Sequence, residues 1–468
     1  MPVKAIIPAG IALLLAGCSM APRYEQPVAP VAPEFPAVSD ATEGRLATEI
    51  GWREYFADPR LQAYLAAALE NNRDLAISTA RIAQARAQYR IAESDRLPSV
   101  GATGGATLAD GNDSARMLVS DSFDIGVAVP AFELDFWGRV RNLSDAARGR
   151  YLATVEAERA FRLSLIADVA STWYTIRSAE ERIELARRSV ATRREGLRIA
   201  RLRLDSGVTS TIDHDQAELL VTQAETELAD LERIAGQAQN LLMVLIGGPL
   251  EGPLPESLPL YQQTQMRSIN PGLPSTVLAS RPDIIAAEYN LRAANADIGA
   301  ARAAFFPNIS LTGNLGFLST DLDDLLKSDA LQWSGGGFLN LPIFDFGRRS
   351  ANLRFTKAQR DEMVATYQLA VQQAFREVAD GLVGRQRYAE QIAAQTTAVE
   401  AQRRLARAAR LRYDNGISIY LEVLDAERNL FAAEQQLLAL HAADLQNSVS
   451  LYVALGGGLN ETAPPPGS

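Results

Sequence analysis

The sequence has one cysteine and two histidines among its 468 residues. The single cysteine, Cys18, excludes a disulfide within the chain, and neither His214 nor His441 has a cysteine nucleophile or a metal-ligand spacing beside it. We therefore expect no enzymatic site, no metal site and no cofactor. Acidic residues outnumber basic ones, and the formal net charge of −10 argues against nucleic-acid binding and is compatible with handling cations.

Long apolar runs are also missing, and the longest lies at the N-terminus. Residues 1–17 combine one lysine, an apolar stretch and small residues, which is typical of a secretory signal peptide. The stretch Leu15-Ala16-Gly17-Cys18 resembles the lipobox of bacterial lipoproteins and predicts a lipid-modified Cys18; a buried free thiol is the alternative. No later run could cross a bilayer as a helix, so membrane insertion of the mature chain would use strands.

Proline is absent from two long stretches, 131–248 and 343–463. Each predicts a long helix, a tight turn and a returning helix, because no proline interrupts the helical hydrogen bonds. The turns are Asp-Ser-Gly at 205–207 and Asp-Asn-Gly at 414–416. A helix from 138 to 205 would reach about 100 Å, longer than any globular core, so we expect coiled-coil packing against neighbouring helices.

The two turns lie 209 residues apart (416 − 207), and the same offset relates much of the chain. It places Gly138 onto Gly347, and the glycine pair at 247–248 onto the pair at 456–457. A constant offset over this length predicts a tandem duplication, so that one half of the chain explains the other.

Apolar and polar residues alternate with a period of two in 123–129 and 309–317, and less cleanly in 100–108 and 338–343. Each run suits a tilted transmembrane strand; a half-buried soluble sheet is the alternative. The glycines at 335–337 are interpreted as a loop before the last strand. The side chains predicted to face lipid are Phe123, Ile125, Val127, Ile309, Leu311 and Leu315, and those predicted to face a lumen are Asp124, Thr312 and Asn314.

These patterns divide the chain into consecutive segments. They are a signal peptide (1–17), a lipidated N-terminus and extended tether (18–45), first-copy helices (46–97), a first β-hairpin (98–134), a first long helical hairpin (135–248), an equatorial connector (249–280), second-copy helices (281–306), a second β-hairpin (307–346), a second long helical hairpin (347–458) and a disordered tail (459–468).

One chain thus supplies four candidate membrane strands, whose open edges would not be tolerated in lipid. Two chains would give eight strands and an interior filled by side chains, whereas three chains would give twelve strands and a lumen. The expected fold class is a mixed α/β membrane protein. In it, a homotrimer forms a twelve-stranded transmembrane β-barrel and a long α-helical coiled-coil barrel.

Several short motifs are distributed along nearly the whole mature chain. They are the lipobox, Gly51-Trp52-Arg53, Asn71-Asn72-Arg73-Asp74-Leu75, Arg281-Pro282-Asp283-Ile284, Ala-Ala-Arg-Ala-Ala-Phe-Phe-Pro at 300–307, Phe-Arg-Glu-Val-Ala-Asp at 375–380, and Tyr-Leu-Glu-Val-Leu-Asp-Ala-Glu-Arg at 420–428. With these motifs the chain resembles the TolC-type outer-membrane factors of RND tripartite efflux systems, in the OprM- and CusC-like lipoprotein branch (the NodT family).

The resemblance implies a homotrimer in the bacterial outer membrane, lipid-anchored among outer-membrane lipids and extending into the periplasm. Its partners would be a periplasmic adaptor (membrane fusion) protein and an inner-membrane RND-type transporter. Its function would be passive conduction of drugs and other toxic small molecules across the outer membrane. Metal-cation efflux and type I protein secretion are alternatives. A periplasmic coiled-coil scaffold lipoprotein would not explain the alternating strands.

The resemblance also assigns roles at the two turns. The residues that match gate positions at the periplasmic end are Asp213, Tyr413, Glu422 and Asp425. The residues expected to form a basic collar at the same end are Arg203, Arg410 and Arg412. Ser418 stands where some members have a gating arginine. The contacts that hold the gate closed would therefore be looser, or would use Arg412 or Arg410. Helix dipoles and antiparallel packing explain the same charges without a gate.

Overall fold

The structure is a computed structural model that describes residues 19–35, 44–108, 121–250, 252–263, 269–270 and 280–461. The predicted signal peptide, Cys18, and parts of the predicted connector and tail lie outside the described residues. The chain divides into two compact units. The sheet unit comprises 1–28, 80–156 and 285–369, and the hairpin unit comprises 29–79, 157–284 and 370–468.

Helices make up most of the described chain. They are α1 (Trp52–Tyr55), α2 (Pro59–Asn71), α3 (Arg73–Ser94), α4 (Arg139–Asp205), α5 (Thr211–Leu245), α6 (Pro282–Ala303), α7 (Arg348–Asp414) and α8 (Tyr420–Ala454). Short 3-10 turns occur at Ala47–Glu49, Leu260–Gln262, Leu322–Asp324 and Ser328–Ala330. Among the described residues, no helix is both long and apolar enough to cross a membrane.

The duplication is present in the helix boundaries. The pairs α3 and α6, α4 and α7, and α5 and α8 begin and end at positions that differ by 209 residues (for example 348 − 139 and 414 − 205). Both α4 and α7 contain 67 residues, as the proline-free stretches predict. The sequence repeat therefore corresponds to a repeat in structure.

Each long hairpin turns at a glycine with a left-handed backbone. Gly207 and Gly416 both have φ of +70°, a conformation that costs other residues steric strain. The N–H after each glycine closes the turn. Val208 donates to the carbonyl of Arg203 over 2.9 Å, and Ile417 donates to that of Arg412 over 2.8 Å. These bonds satisfy carbonyls that the helix end leaves free.

The core of the hairpin unit contains several packed aromatic rings among its aliphatic side chains. The rings of Tyr55 and Tyr452 stack with centroids 3.9 Å apart, and the Tyr452 hydroxyl donates to the carbonyl of Ile50 over 2.7 Å. Asn72 forms the predicted break between α2 and α3. Its side chain accepts from the N–H of Leu75 and donates to the carbonyl of Leu245, both over 2.8 Å. This asparagine therefore ends one helix and caps the next.

The sheet unit contains one antiparallel sheet of four strands. They are β2 (Gly101–Thr107), β3 (Ser122–Glu133), β5 (Asn308–Ser319) and β6 (Leu331–Asn340), in the order β2-β3-β5-β6. Two shorter strands, β1 (Arg45–Leu46) and β4 (Ile269–Asn270), pair in parallel in the hairpin unit. Gly126 and Gly316 face each other across β3 and β5, and a Cβ on Gly126 would lie 2.7 Å from the Cα of Gly316.

The register places the six predicted lipid-facing side chains on one face of the sheet. Val127 lies opposite Leu315, and Ile125 lies opposite Phe317. Directly paired residues share a face, which confirms that these six side chains lie on the same face of the sheet. Large apolar side chains on this face are open in the single chain: Trp333, for example, is 81% exposed.

The last strand corrects two expectations. It spans Leu331–Asn340 rather than 338–343, and the glycines at 335–337 lie within it rather than in a loop. Gly336 pairs with Thr312, and a Cβ there would lie 3.0 Å from the Thr312 hydroxyl oxygen. The absence of side chains at three successive positions hid the alternation, although the backbone pairs in register throughout.

Candidate functional site at the helical turns

The two helical turns contact each other through one charged hydrogen bond. Arg203, near the end of α4, donates from Nη1 to the hydroxyl of Tyr413, near the end of α7, over 2.8 Å. The Arg203 guanidinium carbon also lies 6.0 Å from the centroid of the Tyr413 ring. Because α4 belongs to the first copy and α7 to the second, this bond joins the two hairpins at their turns.

A second aromatic ring supports the first. The ring centroids of Tyr413 and Tyr420 are 4.9 Å apart, with the planes inclined by 54°. Tyr420 packs against Gly196 on α4, where a Cβ would lie 2.4 Å from the Tyr420 hydroxyl oxygen. A larger residue at position 196 would make the Tyr420 side chain shift, so Gly196 helps to position the pair of tyrosines.

The predicted acids each have a partner close by in the chain. Glu422 lies 3.7 Å from the guanidinium of Arg412 across the turn, and Asp425 lies 3.1 Å from Arg428 one turn along α8. Asp213 accepts a hydrogen bond from the Thr209 hydroxyl. Within one chain, the structure therefore pairs these carboxylates with cations and a hydroxyl rather than with one another.

The three predicted collar arginines make different contacts. Arg412 contacts Glu422, whereas Arg410 contacts Asp414 on its own helix over 3.3 Å. Arg203 is the repeat counterpart of Arg412 (412 − 209), yet it donates to the other hairpin. Of the three predicted collar residues, Arg203 is thus the one that links the hairpins. The sequence repeat did not indicate this difference.

The first turn carries a carboxylate with altered acidity. The hydrogen bond from Thr209 is the main cause that holds the pKa of Asp213 below its ordinary value, and Ser210 and Arg203 act in the same direction. Asp213 is exposed, so it stays charged over the whole physiological range. A fixed negative charge therefore lies beside the Arg203 guanidinium.

A cavity of about 290 Å³ lies between the turns and is lined by Arg203, Asp213, Tyr413 and Ser418, among others. The Ser418 hydroxyl is buried there without a hydrogen-bond partner among the described residues. Its repeat counterpart, Thr209, instead donates to Asp213. Ser418, which stands where some members of the family that the chain resembles have a gating arginine, thus lines this cavity.

A buried arginine and a partly buried glutamate just beyond the turns were missed by sequence reasoning. Burial raises the pKa of Glu427, which Arg410 and Arg193 partly oppose. Arg193 is only 7% exposed and donates to the carbonyl of Leu220 over 2.9 Å. The Phe431 ring covers its guanidinium at 5.4 Å. The helical spacing of the polar residues gave no sign that Arg193 would be buried and Glu427 half-buried.

The surroundings of His214 correct the expectation that no metal-ligand spacing lies beside it. Its Nδ1 lies 3.1 Å from a carboxylate oxygen of Asp215, and Glu218 brings a third ligand atom within 4.8 Å. The i and i+4 spacing of His214 and Glu218 on α5 is a metal-ligand spacing that sequence reasoning did not recognise. The two acids are exposed, as such groups commonly are without an ion.

The family model for the outer membrane efflux protein matches the chain twice, over residues 64–248 and 273–457. Both ends of the second match lie 209 residues after those of the first (273 − 64 and 457 − 248). The chain belongs to the outer membrane efflux protein family. This efflux protein therefore contains the family unit twice, in the register that the repeat predicted. The family consists of transport channels rather than enzymes.

Curated relatives extend over nearly the full length of this efflux protein. It is 40% identical over 455 residues to the solvent efflux pump outer membrane protein SrpC of Pseudomonas putida, in a match that covers 95% of this chain and 96% of SrpC. It is 37% identical to the cation efflux system protein CusC of Escherichia coli K12, in a match that covers 97% of this chain and 99% of CusC.

Solved structures agree with the fold of this efflux protein. The open state of the MtrE outer membrane channel of Neisseria gonorrhoeae matches with a TM-score of 0.88 and 38% identity, over 96% of this chain and 100% of that chain. A crystal structure of CusC matches with a TM-score of 0.82 and 36% identity, over 94% and 100%. This protein has the fold of TolC-like outer-membrane channels and is an outer-membrane channel component of an efflux pump.

Proposed function

We propose that this efflux protein acts as a homotrimeric duct, which receives small organic molecules from a periplasmic adaptor and an inner-membrane RND-type transporter and releases them outside the cell. Relatives at 40% identity are named for solvent, toluene and antibiotic efflux. The observation that carries the proposal is the duplicated pair of long helical hairpins, joined at their turns by Arg203 and Tyr413.

The trimer is supported by the sheet. Strands β2 and β6 lie at its two edges, and among the residues that the structure describes each is paired on one side only. Unpaired backbone groups are not tolerated in lipid, so neighbouring chains would have to pair with both edges. Three copies of four strands close a twelve-stranded barrel with its apolar face toward lipid.

The turns supply a closed end and a docking surface. Asp213, Glu422 and Asp425 would each occur three times around a threefold axis, where like charges repel unless they are held. Arg203, Arg412 and Tyr413 are the groups positioned to hold them. This arrangement is a gate that stays shut at rest, because an open duct would admit toxic solutes to the periplasm.

Four apolar side chains project from the turns. Val208, Ile212, Ile417 and Ile419 are between 65% and 68% exposed. Their exposure next to a collar of arginines suits a partner with an apolar and acidic surface. We assign the adaptor to this surface.

Lipid attachment at Cys18 completes the proposal. A single acyl chain gives only marginal membrane binding, so the barrel would hold the protein and the lipid would add to it. Cys18→Ser is expected to abolish labelling by a fatty-acid analogue while trimers still form. Labelling that persists in the variant would exclude Cys18 as the site.

The function is tested by deleting the gene in its native host and measuring growth against organic solvents, antibiotics and metal salts. Sensitivity to solvents and antibiotics, restored by the wild-type gene, is the expected result. Sensitivity to metal salts alone would favour the cation cargo for which CusC is named. Loss of a secreted protein with no change in sensitivity would favour protein export.

A further inference from the structure

The segment directly after the predicted lipid attachment site contacts the helices of the sheet unit along its length. We call residues 19–28 the strap. Composition predicted an extended tether, because prolines recur there without helical or strand periodicity. The strap is extended and has no helix or strand, but its backbone and side chains are held by α4, α6 and α7.

Backbone carbonyls of the strap accept hydrogen bonds from three different side chains. Asn295 donates to the carbonyl of Pro22 over 2.8 Å, and Arg302 donates to that of Met20 over 3.2 Å. Gln368 donates to the carbonyl of Val28 over 3.5 Å. Bonds to the backbone do not depend on the strap's own side chains, so they hold its path.

Side chains of the strap add contacts to each helix. The Ser19 hydroxyl donates to Asn142 on α4 over 2.9 Å, and Asn142 is only 2% exposed. Gln26 donates to the hydroxyl of Tyr367 on α7 over 2.9 Å. The first of these contacts is made by Ser19, the residue directly after Cys18.

Tyr24 is the largest anchor. Its hydroxyl donates to Glu288 over 3.1 Å, and the Arg292 guanidinium carbon lies 4.8 Å from its ring centroid. Glu288 and Arg292 are themselves paired at 2.6 Å. Burial and the Glu288 carboxylate raise the pKa of Tyr24 to about 12, so the hydroxyl keeps its proton and remains a donor.

Gly299 on α6 makes room for the strap. A Cβ there would lie 2.7 Å from the backbone nitrogen of Ala21 and equally close to the Asn142 side chain. The repeat counterpart of Gly299 on α3 is Arg90 (299 − 209), and that of Asn295 is Arg86. The duplicated helix thus lacks both the space and the amide, which marks α6 as specialised for this contact.

We propose that the strap is a docked element that fixes the lipid attachment site to helices α4, α6 and α7, rather than a free linker between anchor and channel. The acyl group and the helices beside the sheet then behave as one body, and docking does not depend on the acyl chain. This inference rests on the proposed lipidation in one respect only, namely that the group positioned by the strap is an acyl chain.

Trypsin cleavage after Arg23 tests the docking. Arg23 lies in the strap with an exposed side chain, so only the held backbone protects the bond to Tyr24. The purified detergent-solubilised protein is digested, and mass spectrometry follows the appearance of the N-terminus at Tyr24. The same digest gives the mass of the peptide that ends at Arg23, which shows whether Cys18 is acylated.

Gly299→Ala and Asn295→Ala are expected to speed this cleavage about tenfold, because proteolysis follows the open fraction of the segment. Their control is Gly236→Ala, at a helical glycine with nothing within 4 Å of its Cβ. This control should match the wild type.

A Cys18→Ala variant exported by the signal peptide of an unlipidated protein separates the two proposals. Protection equal to wild type is expected. Rapid cleavage of this variant, or unchanged cleavage of both the Gly299 and Asn295 variants, would overturn the docked strap. An unacylated wild-type peptide would overturn lipidation, while the cleavage rates would still decide whether the strap is docked.

Discussion

The bond between Arg203 and Tyr413 makes a quantitative prediction about the closed state. Tyr413→Phe removes only the hydroxyl and keeps the ring that packs on Tyr420 at 4.9 Å. The variant leaves the Arg203 guanidinium without the acceptor that lies 2.8 Å from it. We therefore expect the two hairpins to separate more easily at their turns.

The magnitude follows from the exposure of the bond. A hydrogen bond to a charged group contributes about 1.5–3 kcal/mol when buried. This one is only part-buried, which lowers its contribution to about 1 kcal/mol per chain. Three chains that open together would lose about 3 kcal/mol, which raises the ratio of open to closed channels on the order of 100-fold.

Single-channel recording in planar bilayers measures this ratio, and susceptibility to a large antibiotic that the outer membrane normally excludes reports it in cells. Tyr420→Phe is the control, because its hydroxyl makes no hydrogen bond among the described residues. Arg203→Ala should act like Tyr413→Phe, and the double variant should add little to either. Equal open probability in Tyr413→Phe and wild type would refute the role of this bond.

Three further outcomes follow from the structure. Burial raises the pKa of Glu427, so its charged form destabilises the fold and stability falls as pH rises through that pKa. Glu427→Gln should therefore raise the melting temperature at neutral pH, with no gain below about pH 4. Glu218→Gln, at the exposed repeat counterpart, should change the melting temperature little. Gly416→Ala should cost about 1–2 kcal/mol at a φ of +70°, seen as faster hydrogen exchange confined to the turn, and uniform exchange would contradict the assigned strain. Val127→Arg should cost roughly 2–4 kcal/mol on the lipid face and Thr312→Arg far less, measured as the yield of folded trimer; equal losses would reverse the face assignment.

Local patterns predicted the long helices, their turns and the register of the repeat. Proline-free stretches, turn residues and a constant offset are properties of neighbouring or equivalent positions, so they are visible in one sequence. The strand of Leu331–Asn340 was partly missed because its three glycines carry no alternation. A period-two pattern needs side chains, whereas backbone pairing does not.

Contacts between distant residues could not be read in the same way. Arg203 and Arg412 are equivalent in the repeat, and only folding shows that one reaches the other hairpin while its counterpart stays within its own turn. The partial burial of Glu427 and the docking of the strap likewise depend on which helices meet. The role of Asp213, Glu422 and Asp425 in a gate stays a prediction, because it concerns three chains.

The most direct test of the account is the conductance of the purified wild-type protein and its Tyr413→Phe, Asp425→Ala double variant in planar bilayers. A gated outer-membrane duct predicts stable unit steps for both, with larger or longer openings in the double variant and a weaker block by divalent cations. A protein that forms folded trimers yet gives no stable conductance in either form would contradict the assignment as a channel.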